Sequence, residues 1–331
     1  MKIQLSHNFE DIISIDNLLL AWQEFIRGKR TKKDVQKFEF RLMDNIISLH
    51  NDLINFTYKH GQYQAFNISD PKSRSIHKAT VRDRLAHRAV YRVLYSFFDK
   101  IFISDSFSCR FSKGTHKAIN RFKIFTYKTS KNNTKTCWIL KCDIRKFFAS
   151  IDHKTLMNIL KEYIPDERII WLLEEIINSF NAKSGIGLPL GNLTSQLFAN
   201  IYMNKVDQFM KHKLKVKSYI RYADDFVILS LNKEYLKNIV PEIESFLKNN
   251  LKLEIHFDKT SIKTIYSGQD FLGWINFQDH RILRITTKRR MLKRIKSNPN
   301  LETINSYLGL LSHGNTGKIK EKIFKDILFK K

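Results

Sequence analysis

Residues 218–230, SYIRYADDFVILS, constrain the fold more than any other stretch. Two apolar, β-prone runs flank a short Ala-Asp-Asp break, the pattern of a hairpin with acids at its tip. An earlier run, CWILKCDI (137–144), reads as a strand ending in Asp143. Any fold that accommodates both must bury strands rich in Ile, Val, Leu and Phe and still present Asp143, Asp224 and Asp225 at strand ends. Between and after these runs the apolar period is helical, over 153–180, 193–214 and 233–250. LKLEIHF (251–257) then reads as a strand, and FLGWINF (271–277) with RILRIT (281–286) as a further strand pair. The order predicts an α+β layer built on an antiparallel sheet.

The 331 residues carry 58 Lys+Arg against 32 Asp+Glu, a formal net charge of +26. Such an excess implies a polyanionic partner, nucleic acid or an anionic membrane surface. A hydrophobic content of 43% excludes a disordered chain. No run of eighteen apolar residues would cross a bilayer, and MKIQLSHNFEDIIS lacks the apolar stretch of a secretory signal. Cys109, Cys137 and Cys142 are odd in number and match no CxxC spacing, so a reduced, cytoplasmic setting without structural zinc is the expectation.

The positive charge is unevenly placed. Residues 16–56 read as helices, with Asp16 as the first cap and GKRTK (28–32) as a basic break; a helical scaffold is the plain reading of residues 1–60. Lys72, Arg74, Lys78, Arg82, Arg84, Arg88 and Arg92 face a single local acid, Asp83. From Val81 onward, Val81, Leu85, Ala89, Val93 and Phe97 form one helical stripe, and Arg84, Arg88 and Arg92 another. With no acid at pairing distance in the sequence, phosphate contact is expected of that second stripe. The tail, 281–331, holds 14 Lys/Arg and three acids and reads as a small cationic helical lobe.

Taken singly, an acid at a strand end or an Asp-Asp turn is ordinary. Together, in a cationic chain, three carboxylates need a counter-charge. Oxygen-only ligands that leave room for water and phosphate select Mg²⁺. Two such ions, roughly 3.5–4 Å apart, clamp the attacking and leaving oxygens of an in-line phosphoryl transfer. This is the logic of a polymerase or nuclease.

Five segments now carry a family resemblance. LKCDIRKFFASID (140–152), LPLGNLTSQLFANIY (188–202), YADDF (222–226), LEIHFDKT (253–260) and FLGW (271–274) resemble the successive palm motifs of reverse transcriptases. VRDR (81–84) and SFSCRFSKGTHKAI (106–119) resemble their fingers motifs, and the order holds over roughly residues 70–275. The resemblance implies a right-hand fold: an N-terminal helical extension (1–66), fingers and palm (67–278) and a short basic helical thumb (279–331). Where group II intron-like enzymes read QG…SP, this chain has Leu190-Gly191-Asn192-Leu193-Thr194-Ser195-Gln196. That departure resembles the reverse transcriptases of diversity-generating retroelements. No retron-type VTG signature is present, and no nuclease-like extension follows the thumb.

The resemblance implies roles by position. Asp143, Asp224 and Asp225, with the Ile144 carbonyl, are the expected ligands of two Mg²⁺. Phe148 falls where the family has its steric gate against a ribose 2′-OH; plain core packing is the alternative. Arg74 is placed at the incoming triphosphate and Lys259 near the leaving pyrophosphate, each with a solvated surface charge as alternative. Leu190, Gly191 and Gln196 are expected around the nascent base pair, with Gly191 allowing close backbone approach. Arg82, Arg84, Arg110, Lys113, Gly273, Lys288, Arg289 and Arg290 are candidates for holding template or product, and Tyr222 for packing beneath the carboxylates.

The implied activity is RNA-directed DNA synthesis from a template-repeat RNA. Leu190, in place of a hydrogen-bonding glutamine, is expected to leave the nascent pair less constrained, and the resemblance implies that the errors fall mainly opposite template adenines. The implied partners are the template RNA, the RNA–DNA heteroduplex, dNTPs and a small basic accessory protein forming a pentameric helical barrel. The rivals are another stand-alone prokaryotic reverse transcriptase (group II-derived or phage-defence), a non-catalytic RNA-binding scaffold, and a protein held at a membrane surface.

Overall fold

The computed structural model describes residues 3–69 and 73–328; Lys72, one of the basic residues expected to face phosphate, lies outside them. Helices α1 (Phe9–Ile13), α2 (Ile15–Phe25), α3 (Lys33–Phe40) and α4 (Leu42–Ile54) open the chain. The hairpin β1 (Gln64–Ile68) and β2 (Arg74–Lys78) leads into α5 (Val81–Ile101), followed by α6 (Thr115–Thr129), β3 (Trp138–Cys142) and the single turn α7 (Phe147–Ser150). Next come α8 (His153–Lys161), α9 (Glu167–Asn178) and α10 (Leu193–Gln208), which winds into a π-helical turn at Phe209–Lys213. The hairpin β4 (Tyr219–Tyr222) and β5 (Asp225–Ser230) precedes α11 (Lys233–Leu251) and β6 (Ser261–Thr264). The chain continues through β7 (Gln269–Phe271), β8 (Trp274–Asn276), β9 (Arg281–Leu283), α12 (Ile285–Ser297), α13 (Leu301–Leu311) and α14 (Gly317–Leu328). The α+β class is as expected, and the strand pairs are antiparallel. No helix among the described residues is long and apolar enough to cross a membrane.

The chain divides into two compact units: Met1–Ser104, Ile144–Lys213 and Ile243–Ile255 form the first, and Asp105–Asp143, Leu214–Glu242 and His256–Lys331 the second. They interleave along the sequence and so cut across the expected segments 1–66, 67–278 and 279–331.

In the first unit α5 is the central element. Val81, Leu85, Ala89, Val93 and Phe98 are buried, Phe98 taking the place expected of Phe97, and the helix packs on α2 and α10. Its arginine stripe is not left for phosphate. Arg84 pairs with Asp34, Arg88 and Arg92 with Glu24, and Arg82 with Asp52. The counter-charges come from α2, α3 and α4, thirty to seventy residues away, where no local spacing rule reaches. The expected N-cap also moves. Ser14, not Asp16, caps α2 by accepting from the Asn17 amide, and Asn8 caps a short α1 that the pattern did not suggest.

Asp83 of VRDR is a buried structural acid. It accepts from the Tyr58 hydroxyl (2.9 Å), the Gly61 amide (3.1 Å) and the Thr80 hydroxyl (2.6 Å). His87, one turn on, is 1% exposed, and neither ring nitrogen has a hydrogen-bond partner. Burial, reinforced by the neighbouring His60, lowers its pKa to about 3.

The second unit holds the four-stranded sheet β4-β5-β3-β6 and the three-stranded sheet β7-β8-β9. One core joins them. Phe122 of α6, Ile139 of β3, Val227 of β5, Trp274 of β8 and Met291, Ile304 and Ile323 of the last three helices belong to a single buried cluster. The cationic tail helices are therefore part of this core through their apolar faces. One strand expectation fails, and another holds in shortened form, as the pair β8–β9. The 251–257 run makes only an isolated bridge, Ile144 to Ile255, because α11 continues through Leu251 and a 3₁₀ turn begins at Phe257; the sheet strand there is β6. The 271–277 run is split into β7 and β8 by a turn in which Leu272 and Gly273 both take positive φ, +52° and +86°.

The unfolded chain protonates His87 near pH 6.5 and the folded chain only near pH 3. Stability from this site is therefore complete above pH 6.5 and is lost as pH falls toward 3. In thermal melts from pH 7 to 4, a His87→Leu variant is expected to lose less melting temperature than the parent; parallel losses would refute the assignment.

Candidate active site

The register of the main sheet assembles the acids. Lys141 of β3 faces Val227 of β5 and Cys142 faces Phe226. One further step sets Asp143 opposite Asp225, and directly opposed residues share a face. Tyr222 of β4 pairs with Asp225, so Ala223 and Asp224 are the two-residue turn. Ala223 sits at φ +56°, in the left-handed region that such turns favour. Period two puts Lys141 on the face of Asp143. The Lys141 ammonium lies 3.5 Å from Asp225 Oδ2 and donates to the Asp270 carbonyl at 3.0 Å. Lys259, at the end of a 3₁₀ turn, donates to Asp143 Oδ2 at 3.0 Å.

Asp225 carries the electrostatic strain. Burial pushes its pKa up to about 7; Lys141 opposes the rise, and Asp143 and Asp224 add to it. Its Oδ1 is buried without a hydrogen-bond partner. As the side chains stand, no group of three or more His, Cys, Asp or Glu among the described residues is gathered to hold a metal ion; Lys141 and Lys259 lie against two of the acids instead. The donor set nevertheless suits a hard divalent cation, which takes carboxylate oxygens and would give the orphaned Oδ1 a partner.

Arg221 was missed by the sequence reading. It is fully buried on β4. Its guanidinium donates to the Ala223 carbonyl (2.9 Å) and the Ser106 hydroxyl (3.0 Å), tying the turn that carries Asp224 to the segment at 105–107. The main chain reinforces this link, from the Arg221 amide to the Asp105 carbonyl and from the Phe107 amide to the Arg221 carbonyl, both 3.0 Å. The available signal was a lone arginine in an otherwise apolar strand, a position where a charge must be partnered.

The other predicted residues fall into two sets. In the second unit, Arg110 donates to the Ser106 carbonyl, Lys113 lies over the Phe107 ring, and the Tyr222 hydroxyl accepts from Thr115. Gly273 is in the β7–β8 turn, and Lys288, Arg289 and Arg290 lie on α12, the first two exposed. In the first unit, Phe148 is half-buried beside the buried Phe147, and its carbonyl accepts from the Leu188 amide at 2.7 Å. Arg74 is exposed on β2, and Ile144 is buried.

The 190–192 loop is stitched to β2 at His77. The His77 amide donates to Leu190 O (3.0 Å), and Asn192 Nδ2 donates to the His77 carbonyl (2.9 Å). Gly191, at φ +106°, admits no side chain, because a Cβ would lie 2.7 Å from Ile76. Its close approach is to β2. Beside this loop is a cavity of about 310 Å³ lined in part by Lys29, Lys78, Arg84, Arg88, Asn192 and Gln196, with His87 at its wall. Asn192 is buried and its Oδ1 has no partner. Burial, then Arg88 and Arg84, lowers the pKa of Lys29.

Comparison with known proteins identifies the family. The family profile described as reverse transcriptase (RNA-dependent DNA polymerase) matches residues 59–276, about two-thirds of the chain. The chain belongs to the reverse transcriptase family. Among curated relatives, Protein YkfC of Escherichia coli is 25% identical over 269 residues, covering 70% of this chain and 68% of its own length. Group II intron-encoded protein LtrA of Lactococcus lactis subsp. cremoris is 25% identical over 308 residues, covering 72% of this chain and 49% of its own length. The chain thus spans only about half of LtrA. A solved apo telomerase from Candida tropicalis, truncated from its C-terminal domain, aligns at TM-score 0.48 and 15% identity over 71% of this chain and 57% of that one.

For this reverse transcriptase, Arg221→Lys keeps the charge but loses the two-pronged grip on Ala223 and Ser106. Primer extension is expected to fall about tenfold or more, with a stability loss no larger than about 1–3 kcal/mol. Unchanged extension by the folded variant would show that the turn holds itself.

Proposed function

We propose that this reverse transcriptase extends a primer by copying RNA into DNA with Asp143, Asp224 and Asp225 as its catalytic carboxylates. The observation that carries the reading is their placement at one end of an antiparallel sheet, Asp143 opposite Asp225 and Asp224 in the adjoining turn. In the right-hand terms of the family, that sheet is the palm, α12–α14 the thumb and the β1–β2 hairpin part of the fingers. The primer 3′ oxygen bonds to the α-phosphorus of a dNTP, the bond from that phosphorus to the bridging oxygen breaks, and pyrophosphate leaves. Mg²⁺ held by the three acids, in the two-ion arrangement, would supply Lewis-acid stabilisation of the phosphoryl oxygens.

The protein's own groups orient and discriminate. Lys259, already within reach of Asp143, is placed to balance charge on the departing pyrophosphate. Phe148 is the proposed steric gate against a ribose 2′-OH. The cavity beside Gly191 offers Lys29 to a phosphate and Asn192 Oδ1 to a base amine, the needs of a template nucleotide. Arg74, Arg110, Lys113, Gly273 and Lys288–Arg290 are the further contacts proposed along the nucleic acid.

Leu190 and Gln196 support a finer reading, mutagenic copying of a template-repeat RNA in a diversity-generating retroelement, with a pentameric helical-barrel protein as partner. The similarity to LtrA favours a second reading, a group II intron-type enzyme of ordinary fidelity. The side chain at 190 separates them. Without a polar group there, the nascent pair loses one geometric check.

Purified chain should extend a DNA primer on an RNA template, and Asp224→Ala should lower the rate by roughly 10³-fold, about 4 kcal/mol of barrier. Undiminished extension by that variant would end the assignment. Phe148→Ala should admit ribonucleotides that the parent excludes. Leu190→Gln should reduce errors opposite template adenines in sequenced cDNA; an unchanged spectrum would remove the mutagenic reading and leave the polymerase intact.

A further inference from the structure

Two long acid-free stretches of the chain meet far from the carboxylates. Between Asp105 and Asp143 there are nine Lys/Arg and no Asp or Glu, and between Asp207 and Asp224 there are four Lys and one Arg, again with no acid. Within the second unit the C-terminal end of α6 and the residues entering β4 come together. The Thr129 and Ser218 hydroxyls are 3.1 Å apart. Here a groove of about 740 Å³ is lined by Lys128, Lys131, Lys215, Lys217, Asn232 and Tyr235, among others, with no carboxylate in its walls. It lies at the opposite end of β5 from Asp225, five residue steps or about 17 Å along the strand.

Two further features mark the groove as built for a ligand. Among the described residues no carboxylate pairs with Lys128, Lys131 or Lys215, whereas the arginines of α5 are paired. The nearby Glu234 is engaged by Lys237 at 2.9 Å. The rims are also held in unfavourable backbone. Lys131, Asn132 and Asn133 run consecutively at φ +50°, +58° and +66°, and Lys215 opposite them sits at +52°. Non-glycine residues held there cost free energy, and such strain concentrates at functional sites.

We propose that this groove is a second nucleic-acid site that takes the phosphodiester backbone of an RNA segment other than the strand being copied. Its lysines meet phosphates. Tyr235, half-exposed, offers a ring to a base, and Tyr127 on the outer face of α6, 50% exposed, continues the surface. The hydroxyl and amide groups of Thr129, Ser218, Ser230 and Asn232 suit the 2′-OH that distinguishes RNA from DNA. A strand engaged there is too far from Asp225 to be at its reacting end. The site instead anchors a distal part of the RNA and raises the local concentration of the part being copied. The choice of RNA as occupant rests on the RNA-copying reading above.

The test uses the full chain with saturating unlabelled primer–template duplex and follows a labelled single-stranded RNA by fluorescence anisotropy. The triple variant Lys128→Gln, Lys131→Gln, Lys215→Gln should bind that RNA at least about tenfold more weakly. Its log–log salt slope should be shallower by about 2, three contacts at about 0.7 each. Primer extension on a short template should stay within about twofold of the parent, which also shows that the variant folds. DNA of the same sequence should bind the parent more weakly than RNA, and Thr129→Val with Ser218→Ala should narrow that gap. Unchanged RNA affinity and slope in the triple variant would overturn the proposal, as would DNA binding as tight as RNA. If the parent extends no primer yet the triple variant still loses RNA binding, the groove stands and the polymerase reading falls.

Discussion

Like charges at the end of a sheet set the terms for the rest of the second unit. Burial pushes Asp225 up to about 7, and repulsion from Asp143 and Asp224 adds to the rise. The sheet can hold them only because neighbouring groups are fixed in compensation. Lys141 leans on Asp225 from the same face of β3 and anchors to the Asp270 carbonyl, Lys259 meets Asp143, and Asp270 itself pairs with Arg284. Arg221, buried beneath the turn, restrains the backbone that would otherwise spread the acids apart. The compensation is incomplete, since Asp225 Oδ1 stays buried without a hydrogen-bond partner.

The same accounting of charge separates the two ends of the chain. Residues 1–60 hold nine Lys/Arg and eight Asp/Glu, so they are close to neutral. Their acids serve α5, where Asp34, Asp52 and Glu24 take up its arginines. Exposed pairs of this sort contribute little each; their larger consequence is to fix which face of α5 the N-terminal helices cover. The N-terminal helices are thus a counter-charged jacket more than a cationic hand. The surplus that defines the protein sits elsewhere, in the acid-free stretches around α6 and before β4 and in the tail.

What the sequence disclosed, and what it concealed, follows from the range of each interaction. The β4–β5 hairpin, β3 and helices α8 to α11 were legible because periodicity and turn chemistry act over a few residues. The co-location of Asp143 with Asp224 and Asp225 was legible only as a pattern of strand ends. Arg221 and Lys141 were not, because their partners, Ser106 and Asp270, lie more than a hundred residues away. The arginine stripe of α5 was misjudged for the same reason. The 251–257 run misled because Leu251, Leu253 and Ile255 alternate as a strand would while the chain is only leaving a helix. At 271–277 the Leu-Gly pair held the turn signal, and the surrounding apolar residues masked it.

The fate of the two sets of basic residues then bears on how a polymerase of this size grips nucleic acid. A site that pairs all its cations internally gains fold stability but has nothing left for counterion release, the term that dominates affinity for phosphate backbones. In the first unit, Lys29 lines one cavity with Arg84 and Arg88, and both arginines have acidic partners. In the second, no acid interrupts residues 106–142, so nothing neutralises α6 from within its own segment, and its outward lysines remain for a polyanion. The division gives α5 the task of holding the scaffold and α6 that of facing phosphate. It follows from where acids were placed in the sequence, not from any difference between the two helices in basic content.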